Sequence, residues 1–277
     1  MESREECKIT IGLPTYNNSE TIGETIHSLK SQTFHDWECF VTDDSTSEET
    51  VDAARLAIAG DLRFTLIKNE VRLGAAGNWN KTLGMAKGKY FKLLCADDIL
   101  MSDALQIQMQ ALEDHPESVL CTGRRSVINS KGRVLFKDRG LNSRSKSISN
   151  ELVAHRFLRS GSNFFGEPSF ALYRTQELRS VGGFDANWSY LIDVISYLNI
   201  LNYGNLSPVT ENLGSFRVSS TSWSANLSKQ QRKEALKCLD FAFDLDYVRA
   251  NRFDLWLGKI SATLSSFIRR AIFKFLG

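Results

Sequence analysis

Two adjacent carboxylates, Asp97 and Asp98, follow a mostly apolar run over residues 90–96 that has the length of a strand. A run with so few charges is typical of a strand that is buried on both faces. Ligands of open α/β sheets bind beyond the carboxyl ends of the strands, where these acids would stand. Two neighbouring negative charges repel, so a divalent ion such as Mg²⁺ or Mn²⁺, held partly by phosphate oxygens, would keep both ionised. The alternative is an acidic turn that caps the next helix near Ser102 or Asp103.

A second acid pair, Asp43 and Asp44, ends another strand-like run over residues 37–41. The first strand, over residues 8–13, ends in a turn that carries Tyr16 and two asparagines. Because the carboxyl ends of parallel strands share one edge of a sheet, we expect these groups to lie near the other acid pair. A carboxylate can accept hydrogen bonds from a base or ribose while a metal bridges to the phosphates. The set therefore favours a nucleotide site.

Strand-like and helix-like segments alternate from residue 8 to about residue 123. This alternation predicts a mostly parallel sheet with helices on both faces. Thr21 and Glu24 match a capping box at the start of the first helix. The same segment continues with apolar residues on one helical face, which supports a helix that packs on the sheet.

Three basic residues of this region are open to more than one interpretation. Lys92 lies within the apolar run before Asp97, so it is expected either to pair with an acid or to lie on a sheet edge with its ammonium group in water. Arg124 and Arg125 follow the last predicted strand, and a solvated turn is favoured for them over a phosphate clamp.

The composition narrows the class of protein. The 277 residues carry a formal net charge of +2, so no global field favours nucleic acid as a partner. Five cysteines show neither CxxC pairs nor metal-ligand spacing, which suits a reducing compartment. The charged amino terminus lacks the apolar core of a signal peptide, and no run approaches the ~20 apolar residues of a spanning helix. We therefore expect a cytoplasmic protein, with the inner face of the membrane as a second candidate location.

Seven short motifs follow one another between residues 8 and 222. They are Pro14-Thr15-Tyr16-Asn17, Asp43-Asp44-Ser45-Thr46, Asn80 with Gly88-Lys89-Tyr90, Ala96-Asp97-Asp98, Gly166-Glu167-Pro168-Ser169, Val181-Gly182-Gly183-Phe184 followed by Asp193, and Ser215-Phe216-Arg217 with Ser220 and Ser222. In this order and spacing the chain resembles the family 2 glycosyltransferases, inverting enzymes with the GT-A fold. The resemblance implies an α/β, Rossmann-like GT-A domain with a mostly parallel central sheet over residues 1–225. Its nucleotide-sugar half would be 1–125 and its acceptor half 126–225, followed by a C-terminal helical extension over 226–277.

By resemblance, the acidic strand ends would hold the donor. Pro14 and Tyr16 would flank the nucleobase, and Asp44 would accept a hydrogen bond from it. Asp97 would touch the ribose, and Asp98 would hold the Mn²⁺ or Mg²⁺ that bridges the diphosphate. The residues expected to bind the nucleotide sugar are Pro14, Thr15, Tyr16, Asp44, Asn80 and Asp97. The alternative for Asn80 is a cap on the helix after the glycine-containing loop.

By the same resemblance, Asp193 matches the general base that takes the proton of the acceptor hydroxyl. Glu167 and Trp188 are expected on the acceptor side, and Glu167 is the next candidate for the base. Trp188 would either stack on an acceptor sugar or pack in the core. Arg217 matches a position near the diphosphate or in a flexible lid.

The sequence also departs from the family pattern. Trp79 stands where the family often has arginine or lysine, which puts one phosphate contact in doubt. Ile192 replaces the acidic neighbour of the base, so Asp193 should ionise more easily unless burial outweighs that loss. The Gln-x-x-Arg-Trp motif and the transmembrane helices of the processive synthases do not occur in this sequence, which favours transfer of a single sugar.

The resemblance implies inverting transfer from a UDP- or dTDP-sugar to a hydroxyl of a saccharide or lipid-linked saccharide. Bacterial surface polysaccharide or glycolipid assembly is the expected setting. A rival interpretation is a degenerate member of the family that binds nucleotide or scaffolds a membrane assembly without catalysis. A sugar nucleotidyltransferase is disfavoured, because the turn after the first strand lacks the glycine-rich loop of that class.

The last part of the chain, from about residue 228, has a helical pattern with one apolar and one basic side. The apolar side comprises Trp256, Ile260, Leu264, Phe267 and Ala271, and the basic side comprises Lys259, Arg269 and Arg270. Such a helix either rests on an anionic bilayer surface or packs on its own domain.

Overall fold

The computed structural model describes residues 7–218 and 231–276, with side chains described through residue 266. Its centre is a nine-stranded sheet. The strands are β1 Ile9–Thr15, β2 Trp37–Asp43, β3 Phe64–Lys68, β4 Tyr90–Leu93, β5 Ile99–Leu100, β6 Ser118–Asn129, β7 Val134–Arg139, β8 Ala171–Arg174 and β9 Asn205–Val218. The helices are α1 Ile22–Lys30, α2 Glu49–Ile58, α3 Gly74–Met85, α4 Ala104–Asp114, α5 Asn150–Ser160, α6 Thr175–Ser180, α7 Ile192–Ile200, α8 Gln231–Phe243 and α9 Arg252–Leu276.

The first four strands form the parallel half of the sheet, in the order β3-β2-β1-β4. β1 pairs in parallel with both β2 and β4, and β2 pairs in parallel with β3. The strands β1 and β4 are buried along their whole length, as apolar runs between two helical layers should be. The predicted α/β architecture is confirmed, and the carboxyl ends of these strands meet at one edge.

The rest of the sheet differs from the alternation that the sequence suggests. The order continues from β4 through β8, β6 and β9 to β5, and β7 forms a hairpin with β6. β6 extends over Ser118–Asn129, well beyond the predicted short strand that ended at residue 122. It is antiparallel to β8 and parallel to β9. These pairings link residues that lie far apart in the chain, so local patterns could not reveal them.

One sheet separates two hydrophobic clusters. Phe91 and Leu93 belong to one cluster, whereas Tyr90 and Leu94 belong to the other, as the alternation of side chains along a strand requires. Both clusters include residues from before and after residue 125. The two predicted halves therefore share their cores. The predicted boundary at residue 225 lies outside the described residues.

The capping box predicted at the start of α1 is wrong. The Thr21 side chain makes no capping hydrogen bond. Its hydroxyl donates instead to the carbonyl oxygen of Ala96, at 2.9 Å, and the Glu24 carboxylate pairs with Arg217. The partner of Thr21 precedes the acid pair in the chain and the partner of Glu24 lies on β9, so tertiary contacts replace the local cap.

Helix α9 packs one face on the domain through Asp254, Gly258 and Ala262, which are buried. The side chains of Phe267, Arg269, Arg270 and Ala271, which carried part of the amphipathic prediction, lie outside the described residues. Lys259 pairs with Asp240 of α8, at 2.5 Å. Within residues 7–218 and 231–276, no helix is both long and apolar enough to cross a membrane.

Candidate active site

Asp97 and Asp98 lie between β4 and β5, at the carboxyl edge of the parallel half. No part of Asp98 is exposed. Its Oδ2 accepts a hydrogen bond from the Ser169 hydroxyl at 2.6 Å, and its Oδ1 accepts one from the Arg217 amide at 3.0 Å. Asp97 is only half-buried. Of the two acids, Asp97 is therefore the residue that reaches the surface.

Burial raises the pKa of both carboxyl groups. The rise is large at Asp98, where the charge of Asp97 adds to the effect of burial. At Asp97 the nearby Arg217 guanidinium opposes the rise. Two carboxyl groups whose ionisation is unfavourable thus lie side by side at this edge. An added cation would favour the ionised state of the more exposed residue, Asp97.

The resemblance implies a bound divalent ion. The residues at this edge fit a metal site in which the substrate supplies some of the ligands. Across the described ranges, no three or more His, Cys, Asp or Glu side chains are grouped so that they could hold a metal ion. Asp97 supplies one accessible carboxylate, and hard cations take at least six oxygen ligands, often including substrate phosphates. The site suits an ion shared with a diphosphate. The metal contact expected of Asp98 stays a prediction; its two oxygens each accept one hydrogen bond, from Ser169 and from the Arg217 amide.

Arg217, expected near the diphosphate or in a lid, is 5% exposed and braces this edge. Its Nε donates to the carbonyl oxygen of Asp97 at 3.0 Å, and its Nη1 donates to the carbonyl oxygen of Ser130 at 3.1 Å. Its Nη2 pairs with the Glu24 carboxylate. The guanidinium thereby joins β9, α1 and the end of β6 around Asp97.

The turn after β1 supplies an accessible aromatic ring. Tyr16 is 41% exposed, and the Arg72 guanidinium lies 4.2 Å from the centroid of its ring. Pro14 and Thr15 are buried, and the Thr15 hydroxyl donates to the Asp43 carboxylate at 2.6 Å. Thr15 therefore ties two strand ends together, and of these predicted donor residues only Tyr16 presents its side chain to solvent.

Asp44 holds the start of α3. Its carboxylate accepts hydrogen bonds from the amides of Leu73 and Gly74, at 2.9 and 2.8 Å, and from the Asn69 side chain at 2.8 Å. A carboxylate at a helix amino terminus satisfies amides that have no partner within the helix and complements the helix dipole. Asp44 is 6% exposed, so a nucleobase could contact only the small part of this residue that solvent reaches.

Two of the predicted site residues, Asn80 and Trp188, make contacts within the protein itself. Asn80 donates to the carbonyl oxygen of Phe184 at 2.7 Å and accepts from the amide of the same residue at 2.9 Å, so its side chain fixes a turn. Trp188 is 4% exposed, packs edge-on against Phe241 and lies under the Lys237 ammonium group. For Trp188 the structure agrees with the packing alternative, and at Asn80 one N–H and the oxygen of the side-chain amide are engaged by Phe184.

Asp193 lies in the first turn of α7 and lines a cleft of about 270 Å³. Burial raises the pKa of its carboxyl to about 7, and the charge of Glu167 adds to this effect. The amide of Val194 and the charge of Arg125 oppose the rise. Burial thus outweighs the missing acidic neighbour at Ile192. A carboxyl of this pKa can accept a proton near neutral pH.

Glu167 lines the same cleft and is held by Arg125. The Arg125 guanidinium contacts both Glu167 oxygens, with Nε at 2.5 Å and Nη2 at 2.9 Å. Arg125 is 8% exposed, so the solvated turn expected there is wrong, because β6 continues through this position. Such a two-point contact fixes the position of the Glu167 carboxylate.

The segment from Gly166 to Ser169 connects the two parts of the site. Glu167 faces the cleft, and two residues later the Ser169 hydroxyl binds Asp98. The sequence pattern flagged this motif but did not reveal the role of Ser169 or of Arg125. Their partners lie 71 and 42 residues away in the chain, and only the fold brings them together.

Among curated proteins, the chain is 31% identical over 202 residues to the uncharacterized protein MT1568 of Mycobacterium tuberculosis (strain CDC 1551 / Oshkosh), covering 70% of this chain and 61% of that protein. It is 32% identical over 126 residues to the Escherichia coli UDP-Glc:alpha-D-GlcNAc-diphosphoundecaprenol beta-1,3-glucosyltransferase WfgD, covering 46% of this chain and 49% of WfgD. The matches thus span only about half to three fifths of these relatives.

Among solved structures, S. aureus TarS 1–349 superposes with a TM-score of 0.68 at 19% identity, covering 93% of this chain and 72% of that one. The mannosyltransferase PcManGT of Pyrobaculum calidifontis, in complex with GDP-Man and Mn²⁺, superposes with a TM-score of 0.66 at 16% identity, covering 97% and 76%. At these identities the likeness is one of fold, and that fold is GT-A. The model of Glycosyl transferase family 2 matches residues 10–181, more than half of the chain. The fold, the acidic strand ends and this match agree: the chain belongs to glycosyl transferase family 2.

Proposed function

We propose that this chain transfers a single sugar from a UDP- or dTDP-sugar to a hydroxyl of a lipid-linked saccharide, with inversion at the anomeric carbon. The setting would be the assembly of a bacterial surface polysaccharide or glycolipid. WfgD supports this class, since its name gives a UDP-Glc donor and a diphosphoundecaprenol-linked acceptor. One observation carries the proposal. A buried carboxyl with a pKa of about 7, that of Asp193, lines a cleft next to the acidic edge.

The donor would lie along the carboxyl edge of β1, β2 and β4. Tyr16 would stack on the nucleobase, and the rim of Asp44 would accept a hydrogen bond from it. The diphosphate would then reach Asp97, the accessible carboxylate beside Arg217. The crystal structure of TarS with UDP-GlcNAc supports a nucleotide-sugar donor for this fold.

A divalent ion, Mn²⁺ or Mg²⁺, would neutralise the charge that grows on the departing diphosphate. Asp97 is the side chain that we propose to hold this ion, together with diphosphate oxygens. The Mn²⁺ in the PcManGT complex supports the choice of metal. Asp98 would act indirectly, because it fixes Ser169 and the backbone of Arg217 behind Asp97.

Asp193 would act as the general base. As the acceptor oxygen attacks the anomeric carbon, its proton passes to the Asp193 carboxylate, and the bond between that carbon and the diphosphate oxygen breaks. Inversion requires attack from the side opposite the leaving group, so the base must be separate from the acid pair at residues 97–98. Glu167 is held in place by Arg125 and would orient the acceptor by accepting a hydrogen bond from another hydroxyl.

The test is the substitution Asp193→Asn, which keeps the size of the side chain and removes its basicity. We expect turnover to fall by roughly 10²–10⁴-fold, the usual contribution of a general base, with UDP affinity nearly unchanged by calorimetry. Asp246→Asn removes an exposed carboxylate outside the cleft and serves as the matched control. A wild-type chain that binds UDP-sugar but shows no turnover would instead be the non-catalytic member considered above. Turnover that Asp193→Asn leaves unchanged would assign the base to another residue.

The pH profile gives a second readout from the same proteins. The base must be ionised to accept a proton, and its carboxyl has a raised pKa of about 7. The wild-type kcat/KM should therefore rise as the pH increases through about 7 and level off above it. Asp193→Asn should lose this rise. An acid limb near the usual carboxyl pKa of about 4 would assign the base to another residue, with Glu167 next in line.

A further inference from the structure

Helix α9 leaves an apolar stripe uncovered. Phe253, Trp256, Ile260 and Leu264 are 61%, 55%, 40% and 59% exposed. Their spacing places them on one face of the helix, opposite the buried residues that pack on α5 and α8. The rings of Phe253 and Trp256 stack at 5.7 Å between centroids. The helix thus already has its packing face, and this second face, which we call the α9 stripe, lacks cover in the described part of the chain.

Positive charge is concentrated in two segments of the chain. Residues 226–277 contain ten basic and five acidic residues, a net charge of +5. Residues 131–146, in and after the β6–β7 hairpin, contain six basic residues and one acid, again +5. The whole chain carries only +2, so the remaining residues carry −8. All six basic residues of segment 131–146 are exposed.

Both positive segments adjoin the cleft that contains Asp193. Gly161 lines the cleft, and a Cβ atom built on it would lie 2.1 Å from the carbonyl oxygen of Gly258, so α9 passes directly behind this wall. Val218 lines the cleft from β9 and pairs with Asn129, where β6 leads into its hairpin turn. Helix α9 and the start of the β6–β7 hairpin therefore both lie next to the cleft that would take the acceptor.

We propose that the α9 stripe docks on an anionic lipid bilayer, with the helix lying in the plane of the membrane surface. Aromatic and aliphatic side chains on one face, an exposed tryptophan and basic neighbours are the features that bind helices to such surfaces. A second copy of this chain is a poorer occupant, since it would bring two segments of +5 together. The inference rests on the proposed function in one respect: a lipid-linked acceptor would be presented to the cleft at this surface.

Vesicle flotation of the full chain tests the proposal. Vesicles of phosphatidylcholine alone are compared with vesicles that also contain phosphatidylglycerol. The variant Trp256→Glu/Ile260→Glu places two charges in the stripe. Its matched control is Leu56→Glu/Leu62→Glu, at two apolar side chains that are 82% and 84% exposed on other elements. We expect the wild type and the control to float with anionic vesicles, and the stripe variant to bind about tenfold less or weaker still.

The contribution of the basic residues to vesicle binding is tested with the variant Lys137→Gln/Arg139→Gln. It should weaken binding at low salt, and the difference from the wild type should shrink at high salt as the surface charges are screened. Flotation of the stripe variant to the wild-type extent would overturn the proposal. So would a wild type that floats with neither vesicle, or a dimer that the stripe variant separates into monomers. UDP affinity, measured on the same samples, reports on the donor site and separates failure of docking from failure of the proposed function.

Discussion

Asp97 and Asp98 are neighbours in the sequence, yet the fold gives them different tasks. Asp98 is fully buried and accepts hydrogen bonds from Ser169 and Arg217, whereas Asp97 reaches the surface. The sequence indicated that this acid pair ends a strand at a ligand edge. It could not say which of the two acids is buried, because the partners of Asp98 come from residues 169 and 217.

This difference predicts opposite outcomes for two substitutions. In Asp97→Ala, the dependence of UDP affinity on Mn²⁺ should disappear while the midpoint of unfolding stays close to that of the wild type. Asp98→Ala leaves a buried hydroxyl and a buried amide without their acceptor, so it should lower the free energy of unfolding by about 1–3 kcal/mol. Calorimetry with and without EDTA, and urea denaturation, measure the two effects. The metal ligand would be Asp98 if its substitution alone abolished the Mn²⁺ dependence in a fully stable protein.

Lys92 is fully buried, and no carboxylate of the described residues lies within hydrogen-bonding distance of its ammonium group. Its Nζ donates to the Gln108 side chain at 2.7 Å and to the carbonyl oxygen of Ala171 at 3.2 Å. Neither alternative from the sequence holds, since the strand β4 is central and the partner is an amide. Burial lowers the pKa of this ammonium group from 10.5 to about 7.

Because its pKa is lowered, Lys92 reduces the free energy of unfolding by an amount that depends on pH. The unfolded chain binds this proton more tightly, so the wild type loses stability as the pH falls from 10.5 towards 7. Lys92→Met should therefore gain stability over the wild type, by about 1 kcal/mol or more near pH 7. The gain should shrink as the pH rises towards 10.5. Lys89→Met, at a half-exposed lysine paired with Glu113, is the control in urea denaturation across this range. A gain for Lys92→Met that is equal at every pH would mean that the lysine is buried without a change in pKa.

At the scale of elements, helix α9 packs closely against helix α5 at Gly258. A Cβ atom built on Gly258 would lie 1.8 Å from the carbonyl oxygen of Leu158 in α5. The contact is backbone against backbone, so no rotation of a side chain can relieve it. The helical pattern of the sequence predicted α9, but a pattern of apolar spacing gives no sign that Gly258 sets how closely two helices approach.

Gly258→Ala should therefore push α9 away from α5. We expect a loss of about 1–3 kcal/mol in the free energy of unfolding, the usual cost of overpacking, in spite of the better helix propensity of alanine. Gly23→Ala in α1 is the matched control, since a Cβ atom there meets nothing within 4 Å. It should be neutral or slightly stabilising. Equal midpoints for both variants in thermal denaturation would show that α9 can move away from α5 without a loss in the free energy of unfolding.

The elements that the sequence predicted well are those with local signals. The parallel strands β1 to β4 and their helices follow from apolar runs that alternate with amphipathic segments. The strands β8 and β9 and the extension of β6 depend on pairing between distant segments, for example Cys121 with Leu172 and with Ser207. The cleft around Asp193 is lined by β9, by the helices α5, α7 and α8 and by the segments between them. Its members could be named from the motifs, but its burial and its charge balance could not.

At the scale of the whole molecule, the helical extension is part of the core. Cys238, Leu239 and Ala242 of α8, with Ala262 of α9, belong to the same cluster as Phe91 and Leu93 of β4. Leu239 and Ala235 also line the cleft with Asp193. The extension therefore covers the cleft that contains Asp193, and an independent tail would have no such contacts.

A chain that ends at residue 225 should for this reason be much less stable than the whole chain. It loses the side chains that cover Trp188 and one wall of the cleft, and we expect a loss of roughly 2–5 kcal/mol, comparable to one large truncation in a core. Fluorescence should report the exposed tryptophan by a shift to longer wavelength. A chain that ends at residue 266 keeps the described side chains of α8 and α9 and should unfold at nearly the wild-type midpoint. If the shorter chain unfolds cooperatively at that same midpoint, the extension is a separate unit and residues 1–225 form a complete domain.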